Sequence, residues 1–159
     1  MLWYKGSVLI PRLLKNGFKV RSIDTNWFGD NLKTHPNLEK VVLDIRNLSS
    51  EHFFGVDDVI HLANIANDPA VELNPSLSWE VNVLASKQLA DNAVKSGIKQ
   101  IIYASSGSVY GIKDEPRVTE ELDLIPISVY NKTKMVAERV FLSYSEKLKI
   151  HCIRPATVC

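Results

Sequence analysis

Short apolar runs alternate along the chain with stretches whose apolar positions recur at helical spacing, the pattern of an α/β protein built on a parallel sheet. Val8, Leu9, Leu13 and Leu14 fall on one helical face, and Asn16-Gly17 stops that helix. Phe18 to Asp24 alternates apolar and polar residues and predicts a strand ending at Asp24. Val41-Val42-Leu43-Asp44 and Val59-Ile60-His61-Leu62-Ala63 predict two more. Pro75 to Ser96 reads as a long helix, with Pro75 in its first turn, Trp79, Val83 and Leu84 on one face, and Gly97 closing it. Gln100 to Ser105 predicts a fourth strand, Val129 to Leu148 a second long helix, and Ile150 to Arg154 a fifth strand. Lys113 to Ile127 is irregular and reads as a surface loop. Strands separated by helices in this way predict a doubly wound parallel sheet, which binds ligands at the carboxyl ends of its strands.

Composition narrows the partners. A formal net charge of +1 on 159 residues gives no field that would favour nucleic acid or a membrane surface. No stretch approaches the about 20 apolar residues of a membrane span. Lys5, Pro11 and Arg12 interrupt the apolar N-terminus, which lacks the long apolar core of a signal peptide. Two isolated cysteines, Cys152 and Cys159, form no disulfide framework, so a reducing cytoplasm is expected. His35, His52, His61 and His151 pair with no Cys or carboxylate at ligand spacing, so no metal site is expected.

Candidate chemistry collects at the predicted strand ends, where Asp24, Asp44, Ala63 and Ser105-Ser106 all lie. Tyr130 and Lys134 follow at i and i+4, which places them on one helical face. A free tyrosine with a pKa near 10 is a poor base, and bringing it to about 7 takes roughly 4 kcal/mol of preference for the phenolate. A neighbouring ammonium supplies part of that preference, so a Tyr–Lys pair is a proton-transfer device. A solvated helix face is the plainer account of that pair taken alone, as a Ser/Gly turn is for Ser105 to Gly107. A hydroxyl in that turn can hydrogen-bond a substrate oxygen while the tyrosine moves its proton.

Ser105-Ser106-Gly107-Ser108-Val109-Tyr110-Gly111 followed by Tyr130-Asn131-Lys132-Thr133-Lys134 resembles the extended short-chain dehydrogenase/reductases. More narrowly, it resembles the NAD-dependent epimerase/dehydratase group that acts on nucleotide sugars. The resemblance implies a Rossmann-like fold, NAD as cofactor and a nucleotide-sugar substrate. It implies that Ser106 is the catalytic hydroxyl and Tyr130 the acid/base. Lys134 would hold the nicotinamide ribose and lower the tyrosine pKa. Leu62 and Ala63, in His61-Leu62-Ala63, would run along the cofactor, Asp44-Ile45 would contact the adenine, and Pro155, in Arg154-Pro155-Ala156-Thr157-Val158, would lie near the nicotinamide. His61 itself reads as a satisfied strand-end histidine, Asp44 also suits a helix N-cap, and the role of Asn82 is left open. The cysteines read as bystanders. Asp24 would accept the adenosine ribose hydroxyls and repel a 2′-phosphate, favouring NAD over NADP; a turn aspartate before Thr25-Asn26 is the plainer account.

The chain departs from that pattern at its start. Gly6, eighteen residues before Asp24, suits the last glycine of a Gly-x-x-Gly-x-x-Gly phosphate loop. The middle glycine falls on Trp3, and the first glycine and first strand fall before Met1. The chain is therefore expected to be an incomplete NAD(P)-binding Rossmann domain over 1–159, with the C-terminal substrate domain beyond Cys159. The strands ending at Asp24 and Ala63 would then lack a shared partner. The resemblance further implies a homodimer of the full-length parent. Gly107 and Ser108 stand where related 4,6-dehydratases carry Asp-Glu, which points to an epimerase or simple reductase. A non-catalytic dinucleotide-binding protein and an inactive fragment are the rival readings. Calorimetry tests the reading of Asp24: NAD binds more tightly than NADP, and Asp24→Ala narrows the difference, whereas equal affinities in the parent chain overturn it.

Overall fold

The computed structural model describes residues 5–156. The readings placed on Trp3 and on Thr157, Val158 and Cys159 lie outside them.

Helix α1, Ser7–Lys15, ends where Gly17 takes φ 83°, a left-handed conformation that glycine adopts without steric cost. Strand β1, Val20–Asp24, pairs in parallel with β2, Leu38–Val42, setting Val20 opposite Leu38 and Asp24 opposite Val42. Strands β3, Asp58–His61, β4, Gln100–Ala104, and β5, Lys149–Ile153, form a second parallel sheet in the order β3-β4-β5. The expected fold class stands, but the described strands make two sheets instead of one. The sheet has not closed up: β1 and β3 each keep one edge that no described strand pairs.

The long helix expected from Pro75 runs as α3, Pro75–Trp79, a π turn over Glu80–Leu84, and α4, Ala85–Lys95, with Gly97 at φ 72° beyond it. A shorter helix, α2 (Asp68–Leu73), precedes it. It is too short to show a helical period in the sequence, and the Asn67 side chain caps it by accepting the Ala70 N–H at 3.0 Å. Helix α5, Val129–Leu142, starts on the Ser128 hydroxyl, which accepts from Asn131 N–H at 3.2 Å. It stops short of the expected Leu148. Ser143 Oγ donates back to the Val140 carbonyl at 2.7 Å, which draws that carbonyl from the helical ladder. Leu148 is apolar because it is buried in the core, not because the helix reaches it.

The core lies on one face of the β3-β4-β5 sheet. The cross-strand rows Val59–Ile101–Ile150 and His61–Tyr103–Cys152 point to it. Leu89, Ala90 and Ala93 of α4 and Ala137 and Phe141 of α5 pack there, with Ile45, Leu48 and Phe53 from two 3-10 turns, Ile45–Asn47 and Ser50–Phe53. The small side chains on α4 and α5 let the helices approach closely. The row Ile60–Ile102–His151 faces the opposite way, and Ile60 is 37% exposed although it stands on a parallel strand. Parallel sheets ordinarily cover both faces. Phe141 is fully buried and packs its ring 4.8 Å from that of Tyr103. Phe141→Ala is expected to lower unfolding free energy by about 3–5 kcal/mol, measured by urea denaturation; a loss under about 1 kcal/mol would contradict this packing.

Candidate functional site

Strand β4 and helix α5 build the first half of the site. The chain leaves β4 at Ala104 and turns through Ser105 and Ser106 into a 3-10 turn, Gly107–Tyr110. Ser106 caps that turn: its Oγ accepts Ser108 N–H at 3.2 Å and lies 2.8 Å from Ser108 Oγ. Gly107 is needed for contact, not for its φ. A Cβ there would meet the Pro155 carbonyl oxygen at 3.1 Å, and Gly107 N–H donates to that oxygen at 2.8 Å. Pro155, after β5, is thereby fastened to the serine turn.

Tyr130 lies in the first turn of α5, half-buried, with the Ser106 hydroxyl near enough to its phenol to act on its pKa. Burial holds the phenol pKa above its usual value of 10.0, the Ser106 hydrogen bond pulls it down, and Asp68 adds to the rise. One turn further along, Lys134 is 2% exposed. Its Nζ donates to the Ala104 carbonyl at 2.6 Å and sits 4.5 Å from the centre of the Tyr103 ring. Burial and the Lys5 charge lower its pKa to about 7, against a smaller opposing pull from Glu138. The lowered tyrosine pKa implied by the resemblance is therefore not what this structure has. The Lys134 ammonium is committed to Ala104, and burial dominates at Tyr130.

The other half of the expected site lies along one cavity of about 1060 Å³. Gly6, Asp24, Asp44, Ile45, Leu62 and Ala63 all line it, whereas Ser106, Tyr130, Lys134 and Pro155 do not. Asp24 ends β1, and its Oδ1 accepts Asn26 N–H at 2.8 Å, with Asn26 at φ 55°. The turn role and a ligand role are compatible, because a carboxylate has further lone pairs. Asp44 caps the 3-10 turn Ile45–Asn47 by accepting Arg46 N–H at 2.9 Å, and the Arg46 guanidinium grips both its oxygens at 2.8 and 3.1 Å. These hydrogen bonds from Arg46 hold the Asp44 carboxyl below its ordinary pKa of 3.8. Gly6 is buried immediately before α1. This set fits a dinucleotide: carboxylates at or just past the strand ends, with apolar walls from Ile45 and Leu62 beside them.

Two connections escaped the sequence. Asn82, in the π turn, is 1% exposed. Its Oδ1 accepts Ile65 N–H at 2.7 Å, and its Nδ2 donates to Ile65 O at 3.1 Å and Thr133 Oγ1 at 3.0 Å. It fastens the loop after β3 to the residue before Lys134. Glu138, fully buried on α5, grips Arg154 through bonds of 2.7, 3.0 and 3.2 Å, and Arg154 Nη1 donates to Tyr110 Oη at 2.8 Å. The signal was present as Glu138 one turn beyond Lys134 and Arg154 at the end of β5, but only the fold brings them together. His61 behaves as expected: buried, it lies 3.1 Å from Ser86 Oγ, and burial first, then Lys134, drives its pKa to about 3 and keeps it neutral.

Parallel strands carrying carboxylates at their ends, with a Ser–Tyr–Lys group beside β4, define a Rossmann-type dinucleotide-binding protein. Residues 4–159 match the NAD dependent epimerase/dehydratase family, and the chain belongs to it. The family is NAD-dependent. Protein y4nG of Sinorhizobium fredii is 33% identical over 160 residues, which cover 98% of this chain and 39% of that protein. The UDP-glucose 4-epimerase of Mycolicibacterium smegmatis is 30% identical over 167 residues, covering 96% of this chain and 52% of that one. The Thermus thermophilus UDP-glucose 4-epimerase, solved with NAD, superposes with a TM-score of 0.83 at 25% identity, over 94% of this chain and 50% of its own. The chain thus spans about half the length of the curated relatives it matches.

The buried amine of Lys134 gives a pH signature. Its folded pKa, about 7, lies below the 10.5 of an exposed lysine. Between those values the unfolded chain binds the extra proton, so stability rises with pH across that window, and the full penalty of burial is present below it. Lys134→Met is expected to be more stable than the parent at pH about 7, with the difference narrowing towards pH about 10. Denaturant midpoints at both pH values check it, and a pH-independent difference would remove the buried charge as the cause.

Proposed function

We propose that this chain is the NAD-binding half of a nucleotide-sugar epimerase, in which Ser106, Tyr130 and Lys134 carry the proton transfer. The observation that bears most on this is Tyr130 one helical turn before the buried Lys134, whose Nζ donates to Ala104 O at the end of β4, where the Ser106 turn begins. Gly6, Asp24, Asp44, Ile45, Leu62 and Ala63 would hold the dinucleotide, with Pro155 near its nicotinamide end. When bound, that ring accepts the hydride. Tyr130 removes the proton from a sugar hydroxyl, and Ser106 donates a hydrogen bond to the same oxygen and restrains its motion. Lys134 gives the site a positive charge that favours the phenolate once its hold on Ala104 is shared with a ligand. Gly107 and Ser108 beside the catalytic hydroxyl offer no carboxyl for a second proton, which favours epimerisation or simple reduction over 4,6-dehydration. The sugar-binding part of the site and a homodimer through α4 and α5 belong to the full-length parent in the same proposal. Leu84 and Leu142 stand exposed near those helices.

The edges of β1 and β3 that no described strand pairs favour a second reading, in which this chain by itself binds no dinucleotide. Calorimetry of the chain with NAD separates the two. Tyr130→Phe in the full-length parent is expected to lower turnover of a UDP-sugar by about 10²-fold or more, with NAD binding retained. Turnover within about threefold of the parent would remove Tyr130 from the proton-transfer role.

A further inference from the structure

The serine turn is tied to the rest of the fold at both ends, and both ties lead to one dipeptide, Arg154-Pro155, which follows β5 directly. At the start of the turn Gly107 N–H donates to the Pro155 carbonyl at 2.8 Å. At its end Tyr110 Oη accepts from Arg154 Nη1 at 2.8 Å, and the Arg154 guanidinium lies 5.0 Å from the centre of the Tyr110 ring. The bonds that Ser106 makes to Ser108 N–H and Ser108 Oγ lie within the turn, so they move with it and do not fix it against α5.

Arg154 is held in its turn by helix α5. Its Nε and Nη2 donate to the Glu138 carboxylate in bonds of 2.7, 3.0 and 3.2 Å. The Glu138 side chain is 1% exposed and that of Arg154 18%. Glu138 stands one turn beyond Lys134 and two beyond Tyr130, on the same stripe of the helix. It therefore sits about 12 Å along the axis from Tyr130, and its carboxylate is taken up by Arg154. A well-packed apolar pair in place of a buried ion pair commonly gives equal or greater stability. What the charged pair supplies is direction. The planar guanidinium presents its donors in a fixed fork. With Nε and Nη2 on Glu138, Nη1 points one way, and there it meets Tyr110.

We propose that Glu138 and Arg154 are positioning residues for the Ser106 hydroxyl: gripping each other, and acting through Tyr110 and Pro155, they set the serine turn in register with the face of α5 that carries Tyr130 and Lys134. This role rests on the reading of Ser106 as the hydroxyl that meets the substrate oxygen. Both residues act through the turn, where a displacement of about 1 Å is enough to cost rate steeply.

Two conservative variants cut the clamp without emptying the core. Tyr110→Phe keeps the buried ring and removes the hydroxyl that accepts from Arg154. Arg154→Lys keeps a positive charge for Glu138 but loses the fork, so it cannot hold Glu138 and Tyr110 together. Amide hydrogen exchange on the whole chain reads the turn directly, at Gly107 and Gly111, whose N–H groups bond Pro155 O and Ser108 O. In both variants these two amides are expected to exchange about tenfold faster, with those of β4 and α5 within about twofold of the parent. In the full-length parent, Tyr110→Phe is expected to lower kcat for a UDP-sugar about tenfold, with NAD affinity within about twofold. In a Ser106→Ala background the same substitution should cost less than about twofold more, because the hydroxyl it positions is gone. Unchanged exchange at the turn overturns the proposal. So does a rise spread evenly through β4 and α5, which makes the pair an element of stability alone, or an about tenfold loss of kcat that recurs in the Ser106→Ala background. Parental turnover in Ser106→Ala removes the role of the hydroxyl and its positioning together; faster exchange at Gly107 and Gly111 then leaves the clamp intact and locates the failure in the reading of Ser106.

Discussion

A parallel strand inside a sheet needs a neighbour on each edge, because its N–H and C=O groups alternate between them and no water reaches a buried ladder. Strand β4 meets this condition between β3 and β5, and the helices α4 and α5 cover it. Among the described strands, β1 and β3 meet it on one edge only. Much of the rest follows from that imbalance: the core gathers over the three-stranded sheet, Ile60 stays part-exposed, and the cavity follows the free edges instead of closing over the carboxyl ends.

The same division runs through the site. The Ser106, Tyr130 and Lys134 side chains rest on the three-stranded sheet and are held from several directions. Lys134 is tied to Ala104, Thr133 to Asn82, and the turn after Ser106 to Pro155 and, through Tyr110 and Arg154, to Glu138. A buried Arg–Glu pair is stable where its geometry is bidentate and its remaining donors find partners, and here the Tyr110 hydroxyl takes one of them. The dinucleotide set straddles both sheets. Asp24 belongs to the two-stranded one, Leu62 and Ala63 to the end of the three-stranded one, and Gly6 to the residues just before α1. Its geometry depends on how the two sheets sit, and that of Ser106, Tyr130 and Lys134 does not.

Electrostatics sharpen the contrast between the two tyrosines near Lys134. Tyr103 lies under the ammonium as an aromatic face, with its own phenol pKa pushed far up by burial. Tyr130 is less buried, and there the Ser106 hydroxyl opposes the rise that burial imposes on the phenol.

The sequence by itself determined the number and order of the described strands, where the two longest helical stretches begin, the Asp44 cap and the identity of the chemical groups. Those depend on local periodicity, on Gly17 and Gly97 in left-handed turns, and on the i, i+4 spacing of Tyr130 and Lys134. It also carried the warning that β1 and β3 would lack a partner. What it could not carry was distance across the chain. Asn82 reaching Ile65 and Thr133, Glu138 closing on Arg154 and Tyr110, and Lys134 turning to Ala104 instead of the phenol all join residues far apart in sequence. The end of α5 at Leu142 was hidden for a related reason: Leu148 continues the apolar pattern because the core needs it, not because the helix reaches it. Whether the sheet would close or stay parted was also a tertiary decision. Helices α4 and α5 fix β3 against β4 and β5, and nothing described fixes β1 against them, so the gap remains.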